Sequence, residues 1–430
     1  MILPYRLASR LFHLLPLPPG KLAKSRAGRL AATARWIQWA RDSRTNHPLV
    51  WFHAASVGET QVIAPLVTLF RARFPSLQSI LTYSSPSMAA WPHNIGVDHE
   101  DFAPAELSDA TKRVFDTLRP ALIVVSRGDL WPEMVHTARV KGVPVAVVGG
   151  MVRQGSARLS WLARTIMKGL YRDLAFVGAV SHEDALRWIQ LGTSRHAVKV
   201  TGDPRSDYVL ERSPNHQVLQ PFEAWASAGP VMVAGSTDRR DEEVLIDACA
   251  EVRSNHGAAR LMIVPHEPSR EGTERLRARA RSLGLEVALW SRSTANDAPP
   301  VVVVDAVGIL ADLYALGTLA YVGGGFGTAG IHSLLEPASF AIPVLAGPGA
   351  MDDPAARAFV ESGGVVVIEG AMPAETLAAR WTALLGDADL RTSAGRAARA
   401  QITRGAAEES MKGLERLLAD LDSREERARV

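Results

Sequence analysis

Short apolar runs rich in β-branched residues alternate along this chain with longer segments of helical spacing, and the alternation occurs in two series. Val50, Trp51 and Phe52 open the first series as a buried strand, and ETQVIAPLVTLFRAR follows as an amphipathic helix. LQSILTYSS, LRPALIVVS, VPVAVVGG, LAFVGAVS and HAVKVTGD continue it as strands, with polar or glycine-containing loops at their ends. The rhythm lapses in LERSPNHQVLQPFEAWASAGP. It resumes in PVMVAGSTDRRDEE, ARLMIVPHEPSR, LEVALW, PPVVVVDAVGIL, TLAYVGGGFGTAG, IPVLAGPG and GGVVVIEG. Unbroken apolar strands separated by helices signal a parallel sheet covered on both faces. The expected fold is α/β, with two Rossmann-like doubly wound domains facing a cleft. The boundaries read as 46–205 for the first domain, 206–228 for a linker and 229–395 for the second domain. A C-terminal helix takes 396–430, and its charged end SREERARV is expected to fray.

In an open α/β sheet, ligands sit where strand carboxyl ends meet helix amino ends. WFHAASVGE is such a corner, with Glu59 in the first helical turn, where backbone N–H groups point outward. Two roles fit that position. Glu59 can offset the helix dipole, worth a few tenths of a kcal/mol, or it can be a catalytic carboxylate.

The second series holds YVGGGFGTAGIHSLLEP. A strand ending at Val322 followed by Gly323, Gly324, Gly325, Gly327 and Gly330 would let backbone approach a ligand closely. A helix starting near Ile331 or His332 would aim N–H groups at an anion, and Glu336 could accept from two adjacent sugar hydroxyls. The spacing does not reproduce the dinucleotide fingerprint; a nucleotide sugar fits better. Ser236 and Thr237 stand at a strand end as caps or phosphate contacts. His266 also follows a strand, and Val307, Gly308 and Ile309 form a loop whose backbone could read a base edge.

A chain of 430 residues, 47% hydrophobic and 22% charged, can bury two or three cores. The single cysteine, Cys249, allows no intrachain disulfide, and no zinc-type spacing of Cys and His appears. A reducing, cytoplasmic setting is expected, and no metal site. The net charge of +3 is mild but unevenly placed. Met1 to Arg41 contains no acid, whereas Arg6, Arg10, Lys21, Lys24, Arg26, Arg29, Arg35 and Arg41 are basic. Within it, ILPYRLASRLFHLLPLP is too short and interrupted to span a bilayer and lacks a secretory cleavage site. Residues 1–45 therefore read as a basic amphipathic segment suited to an anionic membrane surface. The alternative is a helix packed on its own domain with solvated arginines. Nucleic acid is not an expected partner.

HAASVGE, YSSPS, DLWPE, VTGDPRSD, VSHEDALRWIQLG, GSTDRRDEE, VPHEPSR, VGIL and GGGFGTAGIHSLLEPASFAIPV resemble, in collinear order from about Leu49 to Gly370, the Kdo transferases. These membrane-associated enzymes of lipopolysaccharide core biosynthesis move 3-deoxy-D-manno-octulosonic acid (Kdo) from CMP-Kdo onto a lipid A precursor. The resemblance implies a metal-independent, inverting GT-B glycosyltransferase, with CMP-Kdo as donor substrate and no separate cofactor. It implies a peripheral enzyme on the cytoplasmic face of the inner membrane, whose partners are CMP-Kdo, the lipid A precursor and the anionic membrane surface. Carried over, Glu59 is the base and Arg205, in the TG-x-x-K/R-x-D motif, stabilises charge on the donor. CMP contacts fall on Pro265, His266, Val307, Gly308, Ile309, Ser333, Leu334, Leu335 and Glu336. Ser84, Ser85 and Ser87 are placed at the acceptor head group.

The departures are specific. Arg127, counted with the catalytic residues, stands where many members carry an acid in E-T-E-L-W-P, leaving Asp129. PHEP replaces P-R-H-P, and His332-Ser333 replaces His-Asn. GPGAMDDPAARAF lacks the Asn-Phe and Glu often found after GP. Rival functions are another GT-B nucleotide-sugar enzyme, either a UDP-sugar lipid glycosyltransferase or an epimerase, and a non-catalytic relative binding lipid or nucleotide.

Overall fold

The computed structural model describes residues 2–90, 95–292, 299–327 and 330–429. Two compact units divide the chain: Met1–Tyr208 with Arg404–Val430, and Val209–Thr403. The first is built on β1 (Leu49–His53), β2 (Gln78–Tyr83), β3 (His99–Phe102), β4 (Leu122–Ser126), β5 (Val145–Gly150), β6 (Phe176–Ala179) and β7 (Val198–Val200). All pairs are parallel, in the order β3-β2-β1-β4-β5-β6-β7. The second holds β8 (Val231–Thr237), β9 (Arg260–Pro265), β10 (Val287–Leu289), β11 (Val301–Val303), β12 (Leu319–Val322), β13 (Val344–Ala346) and β14 (Val365–Val367). Its parallel order is β10-β11-β9-β8-β12-β13-β14.

The doubly wound reading holds within each unit. β1 is buried along its whole length. Leu49 and Trp51 enter the core on one face with Trp36, Phe115 and Ile123, and Val50 and Phe52 enter the other with Val62, Leu66 and Phe70. A strand covered on both faces reads as a near-continuous apolar run, broken here only by His53 at its end. Burying each large side chain contributes ~1.5–3 kcal/mol.

The boundaries differ from the sequence reading in three places. Residues expected to link the domains form the helices Arg205–Glu211 and His216–Ser227. Phe222 and Trp225 of the latter are buried. The terminal helix, Ala406–Arg429, returns to the first unit and packs on helix Val57–Arg73. Met411, Leu414 and Leu418 join that core, Asp207 accepts from the N–H groups of Gly405 and Ala407 at 2.7 Å each, and the helix continues through the charged run. Residues 1–45 hold two helices, Ile2–Leu14 and Lys21–Ser43, packed on the first unit. In the latter, Arg35 pairs with Asp101 at 2.6 Å and Trp36 donates to the Phe102 carbonyl at 2.8 Å, so it covers edge strand β3.

Candidate functional site

Strand order in the first unit reverses between β1 and β4, so the loops leaving those strands diverge and open a crevice. After β1 the chain turns through Ala54, Ala55 and Ser56 into helix Val57–Arg73, with Ser56 extended at the N-cap. Glu59 is the third helical residue and is half-buried. Its Oε2 accepts the N–H of Ala55, the residue before the N-cap, at 2.6 Å. Burial raises the Glu59 carboxyl above its ordinary value, and Asp129 adds to the rise; the Ala55 N–H, His53 and Arg127 oppose it. Glu59 thus ties the turn before its helix and is also tuned toward proton uptake.

The loop after β4 supplies two of those neighbours. Arg127 takes a left-handed backbone (φ 58) and Gly128 follows at φ 102, where an added Cβ would lie 2.7 Å from the Trp188 ring. This sharp turn carries Asp129 back toward β1. His53 is fully buried, with Nδ1 2.9 Å from Thr82 Oγ1 and Nε2 3.4 Å from Asp129 Oδ2. The Trp131 indole N–H lies 3.2 Å from His53 Nε2 and 3.1 Å from Asp129 Oδ2, donating into the pair. Burial works against the Asp129 charge, yet these contacts hold its carboxyl below the usual range.

Arg127 and Arg205 converge on one acid. Arg127 Nη2 lies 3.0 Å and Arg205 Nη2 2.8 Å from Asp203 Oδ2. Burial alone would raise Asp203, but the two guanidiniums outweigh it and keep the carboxylate ionised well below the usual range. The catalytic candidates Arg205 and Arg127 therefore share a positively charged cluster, and its field reaches Glu59. Asp203 is a member that sequence reasoning missed; its place between the motif's Thr-Gly and Arg205 is the available signal.

Ser84, Ser85 and Ser87 leave β2 beside this corner. Ser84 and Ser85 send N–H groups to the Ala55 carbonyl, at 3.4 and 2.8 Å, so one residue ties the serine loop to the Glu59 loop. Ser25 donates to the Ser84 carbonyl at 2.6 Å, and the Ser85 and Ser87 hydroxyls pair at 2.7 Å. The end of this loop, Trp91 to Asn94, lies outside the described residues.

In the second unit the order reverses between β8 and β12. Helix Arg239–Asn255 is capped by Asp238, not by Ser236 or Thr237; Ser236 has φ 54 and Thr237 is buried. Asp241 completes the capping box and also accepts the Gly324 N–H at 2.8 Å and the Tyr321 hydroxyl at 2.7 Å. Burial raises its carboxyl, and those backbone N–H groups hold it back.

The glycine-rich loop is packed closely against its own neighbours. A Cβ on Gly323 would lie 2.4 Å from the Ser236 carbonyl, on Gly325 2.7 Å from the Gly347 backbone, and on Gly327 2.6 Å from Asp238 Oδ2. These glycines let the loop pack on its own neighbours; among the five, only Gly330 has open space about it. Thr328 and Ala329 lie outside the described residues. The helix starts at Leu335, four residues after Ile331, and ends at Ser339. Pro337 restricts it from within. Ser333 thus precedes the helix, Leu334 is buried, and Glu336 is its second residue.

The remaining nucleotide candidates are strand-end residues. Pro265 closes β9, and exposed His266 follows with its N–H on the Thr237 carbonyl at 3.0 Å. His332 stacks against it, ring centroids 4.5 Å apart; burial and the neighbouring His266 lower the His332 imidazole below its ordinary value. Val307 and Gly308 are exposed on the loop that enters helix Leu310–Leu313, with Ile309 at its N-cap. A cavity of about 210 Å³ lies against Thr237, Asp238, Pro265 and His266. A larger one, about 460 Å³, lies beside helix Arg270–Ser282 and touches none of the candidates. Among the described residues, no group of three His, Cys, Asp or Glu side chains gathers as a metal ion would require.

Helix Ile2–Leu14 is turned opposite to an ordinary surface helix. Its polar side faces the unit: Tyr5 donates to Glu106 at 3.0 Å, Arg6 makes a bidentate pair with buried Glu133 at 2.7 and 2.9 Å, and Ser9 donates to the Glu106 carbonyl at 2.5 Å. Leu3, Leu7, Leu11 and Leu14, spaced by four, four and three, form an exposed stripe; Leu3 and Leu14 are 75% and 81% accessible. Arg29, also in this region, is buried with its guanidinium 3.7 Å above the Trp131 ring. Among the described residues no helix is long and apolar enough to cross a membrane.

Residues 25–208 match the family of 3-deoxy-D-manno-octulosonic-acid transferases (kdotransferases). The corresponding transferase of Chlamydophila psittaci is 28% identical over 312 residues, 70% of each chain. That of Haemophilus influenzae is 25% identical over 362 residues, 81% of this chain and 82% of its own. The chain is thus similar to the Kdo transferases over most of its length. It is a glycosyltransferase of GT-B type, with two parallel-sheet α/β domains. In fold it is similar to the UDP-GlcNAc 2-epimerase of Neisseria meningitidis, solved bound to UDP-GlcNAc. That likeness has a TM-score of 0.61 at 12% identity and covers 87% of this chain and all of the other.

Proposed function

We propose that this protein acts as a Kdo transferase, moving Kdo from CMP-Kdo to a hydroxyl of a lipid A precursor, with inversion and with Glu59 as general base. The single observation that carries the reading is Glu59 itself: a half-buried carboxyl at the switch point of the first sheet, raised by its surroundings. In the reaction, the acceptor oxygen bonds to the anomeric carbon as the bond to the CMP phosphate breaks. The electron pair leaves with CMP, and Glu59 takes the acceptor's proton. A carboxyl raised toward neutrality is a stronger base than an ordinary glutamate. Arg205 and Arg127, gathered on Asp203, supply positive charge for the anionic groups of donor and acceptor. Pro265, His266, Val307, Gly308, Ile309, Ser333, Leu334, Leu335 and Glu336 hold the nucleotide, Leu334 through its backbone. The serine loop 84–87 takes the acceptor head group. On this reading transfer needs no divalent metal, and an excess of EDTA leaves the rate unchanged.

The outward leucine stripe supports a peripheral enzyme on the anionic inner membrane, where its acceptor resides. A helix that pairs its polar side with buried glutamates and exposes four leucines fits a lipid surface better than water. The test of the whole reading is mass spectrometry of the lipid made by purified enzyme from CMP-Kdo and a tetra-acylated lipid A precursor. A mass gain of one or more Kdo residues is expected; unchanged acceptor would refute it.

A further inference from the structure

The basic N-terminus is not the only acid-free stretch. From Met134 to Arg172 the chain has no Asp or Glu, while Arg139, Lys141, Arg153, Arg158, Arg164, Lys168 and Arg172 are all basic. The fold brings the two stretches together. Helix Ile2–Leu14 packs on helix Pro132–Val140 through Arg6 and Glu133, and helix Pro132–Val140 packs in turn on helix Trp161–Arg172. These last two helices follow the neighbouring parallel strands β4 and β5 by the same crossover, so their first turns lie side by side. Trp161 therefore stands on the same rim as the leucine stripe.

Trp161 is 78% accessible, and it heads an exposed stripe with Thr165, Lys168 and Arg172 at helical spacing. In the first unit, every large hydrophobic side chain described as exposed, except Leu186, lies in one of these two stretches. An exposed indole above basic residues is the composition of a membrane–water interface: the ring sits at head-group level and the cations meet anionic lipid.

We propose that residues 151–172 form a second membrane contact, with Trp161 inserted at an anionic lipid surface beside helix Ile2–Leu14. The proposal rests on the peripheral-membrane reading above and adds a site to it. Two contacts on one rim fix the tilt of the first unit, holding the carboxyl ends of its strands toward the lipid. One helix alone would leave the unit free to rotate about it.

The experiment uses full-length protein and vesicles of phosphatidylethanolamine and phosphatidylglycerol, with and without brominated acyl chains. The emission of Trp161 is isolated by subtracting the Trp161→Phe variant from wild type, and flotation is measured for wild type, Trp161→Ala, Lys168→Glu/Arg172→Glu and Leu7→Asp/Leu11→Asp. The expected result is a difference emission that shifts to the blue and is quenched by brominated lipid. The charge-reversed variant, which removes two surface cations, should partition at least about five-fold more weakly, and Trp161→Ala should also partition more weakly. If Leu7→Asp/Leu11→Asp releases the protein while the Trp161 emission ignores lipid and both other variants float normally, the second contact is refuted and the N-terminal one stands. If wild type itself stays with the soluble fraction, both are refuted.

Discussion

The backbone of Ala55 ties Glu59 to Ser85: its N–H lies 2.6 Å from Glu59 Oε2, and its carbonyl accepts the Ser85 N–H at 2.8 Å. The proposed base and the proposed acceptor loop are thus held by a single peptide unit each side of one residue. A shift of either loop moves the other, which places the proton acceptor and the proposed head-group site in fixed register.

Arg127 sets the acid limb of the pH profile. Burial raises Glu59 and the Arg127 charge opposes that rise. A base works only when deprotonated, so kcat/KM falls as pH drops through the Glu59 pKa. Arg127→Gln removes the opposing cation, raises that pKa further and moves the limb to higher pH. Steady-state rates across pH check this; a limb that stays or moves to lower pH contradicts it.

Glu106 makes stability depend on pH. It is fully buried against Tyr5 and the N–H groups of Glu133 and Met134, and burial pushes its carboxyl from 4.5 up to about 7. The folded state keeps a proton that the unfolded state releases, so this contribution is complete below about 4.5 and is lost as pH rises to about 7. The shift corresponds to roughly 3 kcal/mol at most. Glu106→Gln should therefore gain stability relative to wild type over that window in urea unfolding. A difference that stays constant with pH would count against the buried carboxyl.

The glycine-rich loop makes a structural prediction. Gly325→Ala forces a Cβ to 2.7 Å from the Gly347 backbone and should destabilise the second unit by about 1–3 kcal/mol without nucleotide present. If the glycines served ligand approach instead, the variant would unfold normally and lose only nucleotide affinity. Thermal unfolding with and without CMP separates the two.

Nucleotide choice separates the rival functions. CMP should raise the unfolding temperature of wild type more than UDP at equal concentration, and His332→Ala, which removes the ring stacked on His266, should shrink the CMP effect. Protection by UDP alone would favour a UDP-sugar enzyme of the same fold.

The sequence made the strands legible where burial is two-sided. β1 and β4 read as strands because every position but the last of each, His53 and Ser126, is apolar. β3, His99-Glu100-Asp101-Phe102, escaped notice because an edge strand carries polar residues, and Asp101 there serves Arg35. The helix return to the first unit was hidden because its signal, Asp207 on the amides of Gly405 and Ala407, spans about two hundred residues. Glu59 stood out from its corner, with its role open until the resemblance, whereas Asp203 and His332 gain their partners Arg127 and His266 from distant parts of the sequence. The glycines show the same limit: a close approach is visible in sequence, and which protein atoms approach is visible only in the fold.

The most direct test of the account is Glu59→Gln, assayed for transfer and for CMP-Kdo binding on the same preparation. The amide keeps the side chain's size and an acceptor for the Ala55 N–H but cannot take a proton at neutral pH. Turnover should fall by roughly 10²–10⁴-fold with donor affinity unchanged; near-normal turnover would contradict the assignment of Glu59 as the base.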